Sequence, residues 1–400
     1  MSNGTRPPQL RIALVNDLLY PFFKGGVEKR VYDIGRRLAA EGHDVHLVGS
    51  KAWDGPRETT QEGMTLHGVR SSTKMHNGTG RRSIWQALVC AIGVAARLAR
   101  MRVDVIDVQS MAPLSCLLAL TVARLKRIPT VVTWHEVWGD YWQKYLGRLG
   151  LIGQMVERAM ARLGHAHIAV SEETLARVVG LRARDPILIP NGIDLARVAA
   201  IDEAGDGPDV ICVSRLVKHK NIPLLLDAIA RMASPESVEL AIVGDGPERA
   251  ALERYAASLG LGGVRFRTDV DSEEELFALL KASSVFVLPS LREGFGLAVL
   301  EAATCGLPAI VIDHADNAAN ELAHPDLVLM EEPAILGAVI GNLLNDPGQW
   351  AKYSTASQEM AASHDLGWIV NRLVVQYRDV IHAGRAATDM SRQHATSARA

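Results

Sequence analysis

Short apolar runs rich in valine and isoleucine recur at residues 12–15, 45–48, 103–108, 130–133 and 168–170, and a helix-like segment follows each. Runs that are apolar at nearly every position read as strands covered on both faces, and their alternation with helices predicts parallel sheets. A second series at 210–213, 240–243, 264–266, 285–288 and 309–312 repeats the pattern. Between the two series, Ala204-Gly205-Asp206-Gly207-Pro208 is rich enough in turn residues to read as a linker. The predicted fold class is α/β, with two doubly wound Rossmann-like domains over residues 9–200 and 201–365. Ligands of such sheets bind beyond the carboxyl ends of the strands. Two domains facing each other across a cleft would therefore gather their chemistry in the loops that follow strands.

Near the end of the chain Trp368, Ile369, Leu373, Val374, Tyr377, Val380 and Ile381 form an apolar stripe at helical spacing. This predicts a helix within 366–383 that crosses back to the N-terminal domain, and the stripe reads as packing. Residues 384–400 are dominated by Ser, Ala, Arg and Thr without periodicity, which predicts a disordered tail.

Composition agrees with two cores: 400 residues exceed what one core usually holds, and 48% are hydrophobic against 22% charged. The polar start lacks a secretory pattern and no apolar run approaches the ~18 residues of a membrane span. A cytoplasmic location is expected. Cys90, Cys116, Cys212 and Cys305 are too scattered for metal or redox spacing and read as core thiols. Charge is divided unevenly: residues 1–200 hold 27 Lys and Arg against 17 Asp and Glu, while 201–400 hold 16 against 28. A basic N-terminal half would concentrate anionic ligands or approach an anionic membrane at the inner face of the cell, the alternative being a solvated charged face. No nucleic-acid partner is expected.

The richest segment runs from Leu288 to Ala302, where a strand ends in a short loop and a helix opens near Gly296. Helix N-termini present unpaired N–H groups to anions, and Gly294 and Gly296 permit close approach of backbone to ligand. Glu293 before the helix and Glu301 inside it are separated along the cleft, which suits hydroxyl-rich rings better than one metal. Arg215 and Lys220 follow the first strand of the second domain and suit a diphosphate, although with Lys218 and His219 they also read as a basic surface turn. Gly25 and Gly26 offer amides after the first strand, in a spacing unlike the dinucleotide fingerprint. His135 follows the strand at 130–133.

Glu293 and Glu301 in an E-x7-E frame around Gly294-Phe295-Gly296 resemble the family 4 glycosyltransferases of GT-B fold. The resemblance extends to Gly25-Gly26-Val27-Glu28, Pro190-Asn191-Gly192-Ile193-Asp194, Ser214-Arg215-Leu216 with Lys220, and Val243-Gly244-Asp245-Gly246-Pro247, in family order over most of the chain. It implies a retaining transferase that moves a hexose-type sugar from a nucleoside diphosphate sugar, UDP- or GDP-linked, to a hydroxyl acceptor. No permanently bound cofactor is implied. Glu293 would hold donor-sugar hydroxyls, Glu301 the nucleotide ribose, Arg215 and Lys220 the diphosphate, and His135 would reach the sugar. Gly294, Phe295, Gly296 and Leu297 at the helix start, Gly244 near the base, and Gly25 and Gly26 near phosphate and acceptor complete the set.

Because cations can do the work of a metal, metal independence is expected, with Asp269-Val270-Asp271 the one ambiguous acidic pair. The family's Gly-Gly turn with Pro-Glu is replaced after Pro308 by Asp313-His314-Ala315-Asp316-Asn317-Ala318-Ala319-Asn320-Glu321, so sugar preference is open. Asp316, Asn317 and Asn320 are either sugar ligands or helix caps. Trp134, Trp138, Tyr141, Trp142 and Tyr145, with Arg81, Arg82, Trp85, Arg97, Arg100 and Arg102, suggest a lipid-linked or anionic acceptor and peripheral membrane contact, core packing being the alternative. Rival readings are a nucleotide-sugar epimerase and a non-catalytic nucleotide-sugar-binding protein.

Overall fold

A computed structural model describes the backbone of residues 8–71 and 84–397; Arg81 and Arg82 fall outside the described residues. The chain divides into two compact units, Met1–Pro190 with Leu366–Ala400, and Asn191–Asp365.

In the first unit β1 (Arg11–Val15), β2 (Asp44–Lys51), β3 (Glu58–Gln61), β4 (Met64–Ser71), β5 (Val105–Gln109), β6 (Thr130–Trp134), β7 (Ala166–Ala169) and β8 (Ile187–Leu188) form one sheet. Its order is β3-β4-β2-β1-β5-β6-β7-β8. Every pairing is parallel except the β3–β4 hairpin. Alternate residues of β1 feed different cores. Ile12 and Leu14 join Ile34 and Leu38 of the helix Gly26–Ala40, whereas Ala13 and Val15 join residues of the helices Ile84–Arg100 and Pro113–Lys126. Period-two side chains on a sheet buried on both faces produce this division.

The second unit holds β9 (Val210–Val213), β10 (Leu240–Val243), β11 (Val264–Arg267), β12 (Val285–Leu288), β13 (Ala309–Ile312) and β14 (Val328–Leu329), all parallel in the order β11-β10-β9-β12-β13-β14. This is the Rossmann order, in which the direction of winding reverses between the first and fourth strands. The reversal falls between β9 and β12 here, and between β1 and β5 in the first unit.

Three expectations need correction. The stretch at 204–208 is not a free linker: the amide of Ala204 donates to the carbonyl of Ala278, and a side-chain carbon at Gly207 would lie 2.1 Å from the carbonyl oxygen of Ala282. Residues from Asn191 onward already belong to the second unit, where Arg197 pairs with Glu274 at 2.7 Å. Second, the last helix spans Leu366–Ser397, so helical backbone continues where the composition predicts disorder. Helix once nucleated extends at little cost through residues with acceptable propensity, which a periodicity criterion does not register. Third, Trp368 leaves the predicted stripe; it is exposed and carries the Arg372 guanidinium 4.8 Å from its ring centre. Val370 replaces it among the buried positions.

Leu373 is fully buried in this helix against the first sheet. Leu373→Ala should cost about 2–5 kcal/mol of folding free energy, read as a lower denaturation midpoint in urea; a midpoint equal to wild type would contradict the packing described.

Candidate donor site at the carboxyl edge of the second sheet

Four loops leave the carboxyl ends of β9, β10, β12 and β13, and backbone bonds tie them in series. The Leu216 amide donates to Asp245 at 2.9 Å, linking the loops after β9 and β10. Leu291 donates to His219 at 2.9 Å, joining β9 to β12 across the winding reversal. Glu293 donates to Asp316 and accepts from Ala318, each at 3.0 Å, which fastens the β12 loop to the β13 loop. Glu293 is thereby gripped by the segment that departs from the family pattern.

Two glycines make these approaches possible. Gly244 has φ of +138°, and a side-chain carbon there would meet the Ser214 carbonyl oxygen at 2.0 Å. Gly296, with φ of +95°, opens the helix Leu297–Thr304, and a side-chain carbon there would lie 2.6 Å from Ala319 Cβ. Both conformations are ones L side chains avoid.

Within this frame Lys220 and Glu293 form an ion pair with both side chains mostly buried. The pair is adjacent to a group of cations. His219 is pushed down to about 4, first by burial and then by the charges of Lys220, Arg215 and Arg292. A neutral histidine ringed by three cations marks a site of positive potential, and Arg215 itself is exposed. Beneath lies the thiol of Cys212, raised to about 12 by burial and inert as a nucleophile. Glu301 is buried on the second turn of Leu297–Thr304, away from any solvated helix face. Phe295 is buried against the His364 ring at 5.9 Å.

The structure thus brings Arg215, Lys220, Gly244, Glu293, Gly294, Phe295, Gly296, Leu297 and Glu301 to one edge of one sheet. Of the polar residues in the departing loop, Asn317 is a structural cap. Its amide donates to Ser290 at 3.0 Å and Ile312 at 2.7 Å, while its oxygen accepts from Ala319. Asn320 reaches Asp313 at 3.4 Å. Sequence reasoning missed Arg292 and the role of His219, whose one signal was their place in the flanking loops. Among the described residues no group of three His, Cys, Asp or Glu side chains could hold a metal ion. Asp269 is occupied by Arg267 at 2.7 Å.

In the first unit Gly25 and Gly26 begin the helix Gly26–Ala40 after β1, and His135 follows β6. His135 is buried and neutral, its ionisation suppressed by burial and by Arg30. The aromatic run is packing: Trp134 is fully buried, and Trp138 lies 4.5 Å from Trp142 and 5.2 Å from both Tyr141 and Tyr145. Arg97 pairs with Glu58 at 2.7 Å, whereas Trp85, Arg100 and Arg102 are exposed.

Two Rossmann-like units in tandem, with a cationic, glycine-bearing edge on the second, are the GT-B architecture. Family models for Glycosyltransferase Family 4 and for glycosyl transferases group 1 match residues 24–197 and 198–359 in turn. The chain belongs to the family 4 glycosyltransferases. It is 26% identical to a phosphatidylinositol N-acetylglucosaminyltransferase subunit of Arabidopsis thaliana, over 82% of this chain and 72% of that one. It is also 26% identical to a GDP-mannose-dependent alpha-(1-6)-phosphatidylinositol dimannoside mannosyltransferase of Mycobacterium tuberculosis, over 72% and 75%. Among solved structures, HepE from Anabaena in complex with UDP and glucose superposes with a TM-score of 0.72 at 19% identity, covering 93% of this chain and all of that one.

Because His219 stays neutral down to about 4 against 6.5 for an ordinary imidazole, the unfolded chain takes up its proton first as pH falls. Its contribution is fully present above 6.5 and is lost as pH drops through the window down to about 4. His67 and His167, also held near 4 by burial, act with the same sign. Urea denaturation at neutral pH and at mid-window should show His219→Asn losing less stability on acidification than wild type. Equal losses would contradict the shift.

Proposed function

We infer that the chain is a retaining transferase that moves a hexose-type sugar from a nucleoside diphosphate donor to a hydroxyl of a lipid-linked acceptor. The observation that carries this is the Lys220–Glu293 pair beside Arg215 and Arg292 at the winding reversal of the second sheet. On donor binding Lys220 and Arg215 would turn to the diphosphate and Glu293 to sugar hydroxyls, with Lys220 and Glu293 each exchanging the other for a ligand group. The bond from the anomeric carbon to the phosphate oxygen breaks while the acceptor oxygen bonds to the same face. The acceptor proton passes to the departing phosphate oxygen, so no separate base is needed. Charge growing on the leaving group is met by the cations and by the amides at the start of Leu297–Thr304. These groups supply what a metal would, and the reaction is metal-independent in this reading. His135 is a further substrate-binding residue in this reading.

The lipid acceptor is supported by the names of the relatives, which act on phosphatidylinositol or its dimannoside. A surface of the first unit supports it as well. Leu149, Leu151, Ile152 and Met155 are all more than half exposed, and Arg148 in the turn before the helix Gly150–Leu163 and Arg158 and Arg162 on it flank them. The acid of this helix, Glu157, is turned inward to the amides of Trp138 and Gly139. An apolar strip edged by arginines fits an anionic bilayer surface, each basic residue adding about 1 kcal/mol. Among the described residues no helix is long and apolar enough to cross a membrane.

Incubated with UDP-, GDP- and ADP-sugars and phosphatidylinositol-type lipids, the enzyme should transfer one sugar with the donor's anomeric configuration, and EDTA should leave the rate unchanged. Glu293→Gln should lower kcat/KM by about 100-fold or more with a near-wild-type melting temperature. An inverted product, epimerised donor in the absence of acceptor, or full activity in Glu293→Gln would overturn the reading.

In sedimentation with phosphatidylcholine vesicles containing phosphatidylinositol, wild type should bind at low salt and less at moderate salt. Leu151→Ser with Ile152→Ser should reduce the bound fraction several-fold. Absence of wild-type binding would remove the membrane surface from the proposal.

A further inference from the structure

β5 is buried at every position, yet two of its residues, Asp107 and Gln109, are polar. Their partners form one continuous network. The Asp107 carboxylate accepts from Tyr377 Oη at 2.6 Å, from Thr133 Oγ1 at 2.8 Å and from Gln109 Nε2 at 3.0 Å. Across the same amide, Gln109 Oε1 lies 2.8 Å from His135 Nε2. The His135 backbone amide is itself fixed by Ser110 Oγ at 3.1 Å. These contacts determine a proton position. A carboxylate already accepting from two hydroxyls takes the NH2 side of the amide, so the carbonyl side of Gln109 faces the imidazole. A carbonyl oxygen can only accept, hence His135 Nε2 carries hydrogen.

We propose that Asp107, Gln109 and Tyr377 are positioning residues that hold His135 as its Nε2–H tautomer and present Nδ1 to the substrate as a hydrogen-bond acceptor. The inference rests on the reading that His135 acts in the transferase site. Among the described residues Nδ1 has no hydrogen-bond partner, and burial with the nearby Arg30 charge keeps the ring neutral. A neutral imidazole locked in this tautomer can accept from a sugar hydroxyl and brings no positive charge of its own to the substrate. Arg30 gives the network its charge balance. It is 3% exposed, its Nε and Nη2 lack hydrogen-bond partners, and its charge acts on Asp107. The donor to Asp107 Oδ2 arrives from the final helix, 270 residues further along the chain, so the network closes only when that helix is docked.

The test uses the full chain labelled with 15N-histidine, with His135 assigned by loss of its signals in His135→Ala. Wild type should show Nε2 protonated and Nδ1 unprotonated throughout the neutral range. Asp107→Asn lets the Gln109 amide turn over, and should populate the Nδ1–H form and lower kcat by about tenfold or more, with donor KM within about threefold. Gln109→Leu, a second route should Asp107→Asn fold poorly, should remove the tautomer preference with the same division between kcat and KM. A wild-type ring protonated at Nδ1, or a folded Gln109→Leu enzyme with unchanged tautomer and kcat, overturns the proposal. If His135→Ala keeps full kcat, the reading of His135 as a site residue fails, whereas the tautomer measurement judges the network by itself.

Discussion

A parallel strand can be reached from its neighbour only by a crossover that returns to the starting edge, so all carboxyl ends of a parallel sheet lie together. When winding reverses after the third strand, the helices that follow the first and fourth strands cover opposite faces, and the edge between those strands stays open. Both units obey this constraint, and their candidate site residues cluster at the reversal or one strand away from it. In the second, the loops after β9 and β12 supply Lys220 and Glu293 and bond directly to each other through His219 and Leu291. In the first, β1 leads to Gly25 and Gly26, β5 ends in Gln109, and His135 follows the neighbouring β6.

The two reversals handle buried charge differently, and the difference follows from what each charge can reach. Lys220 and Glu293 pair directly with some exposure left, so either can trade its partner for a ligand group without leaving a charge stranded. Arg30 and Asp107 are almost wholly buried, and Asp107 is held by three neutral donors instead of by a guanidinium fork. Burial pulls the Asp107 ionisation upward while those donors and Arg30 pull it down. Such a network is costly to build and has no freedom to exchange partners. Orientation is what it supplies, here through the Gln109 amide.

The strands that build both sheets were legible because burial on both faces writes them as continuous apolar runs. Those missed have physical reasons. The β3–β4 hairpin carries Thr, Gln and His, and β8 and β14 are two-residue edges too short to leave a pattern. The residues of the candidate donor site stood out in the sequence because glycine, acid and base lie at fixed spacing in single loops. Asp107, Gln109, Thr133 and Tyr377 come from three distant segments, and no local spacing can relate them. Yet each left a trace: two polar residues in a strand otherwise fit for full burial, and a tyrosine where the final helix needed only another leucine.

That tyrosine shows how packing and chemistry share one element. Tyr377 lies in the apolar stripe between Leu373 and Val380, fully buried, and contributes to the same core as Ile12 and Leu14. Its ring accounts for the packing, but a buried hydroxyl must find an acceptor, and the acceptor it finds is Asp107. Without the final helix, Asp107 would lose one of its three donors and Arg30 would keep its charge in a core opened along one face. The segment that completes the hydrophobic layer of the first unit is therefore the one that makes its buried carboxylate tolerable, and the docking of the last helix is coupled to the setting of His135.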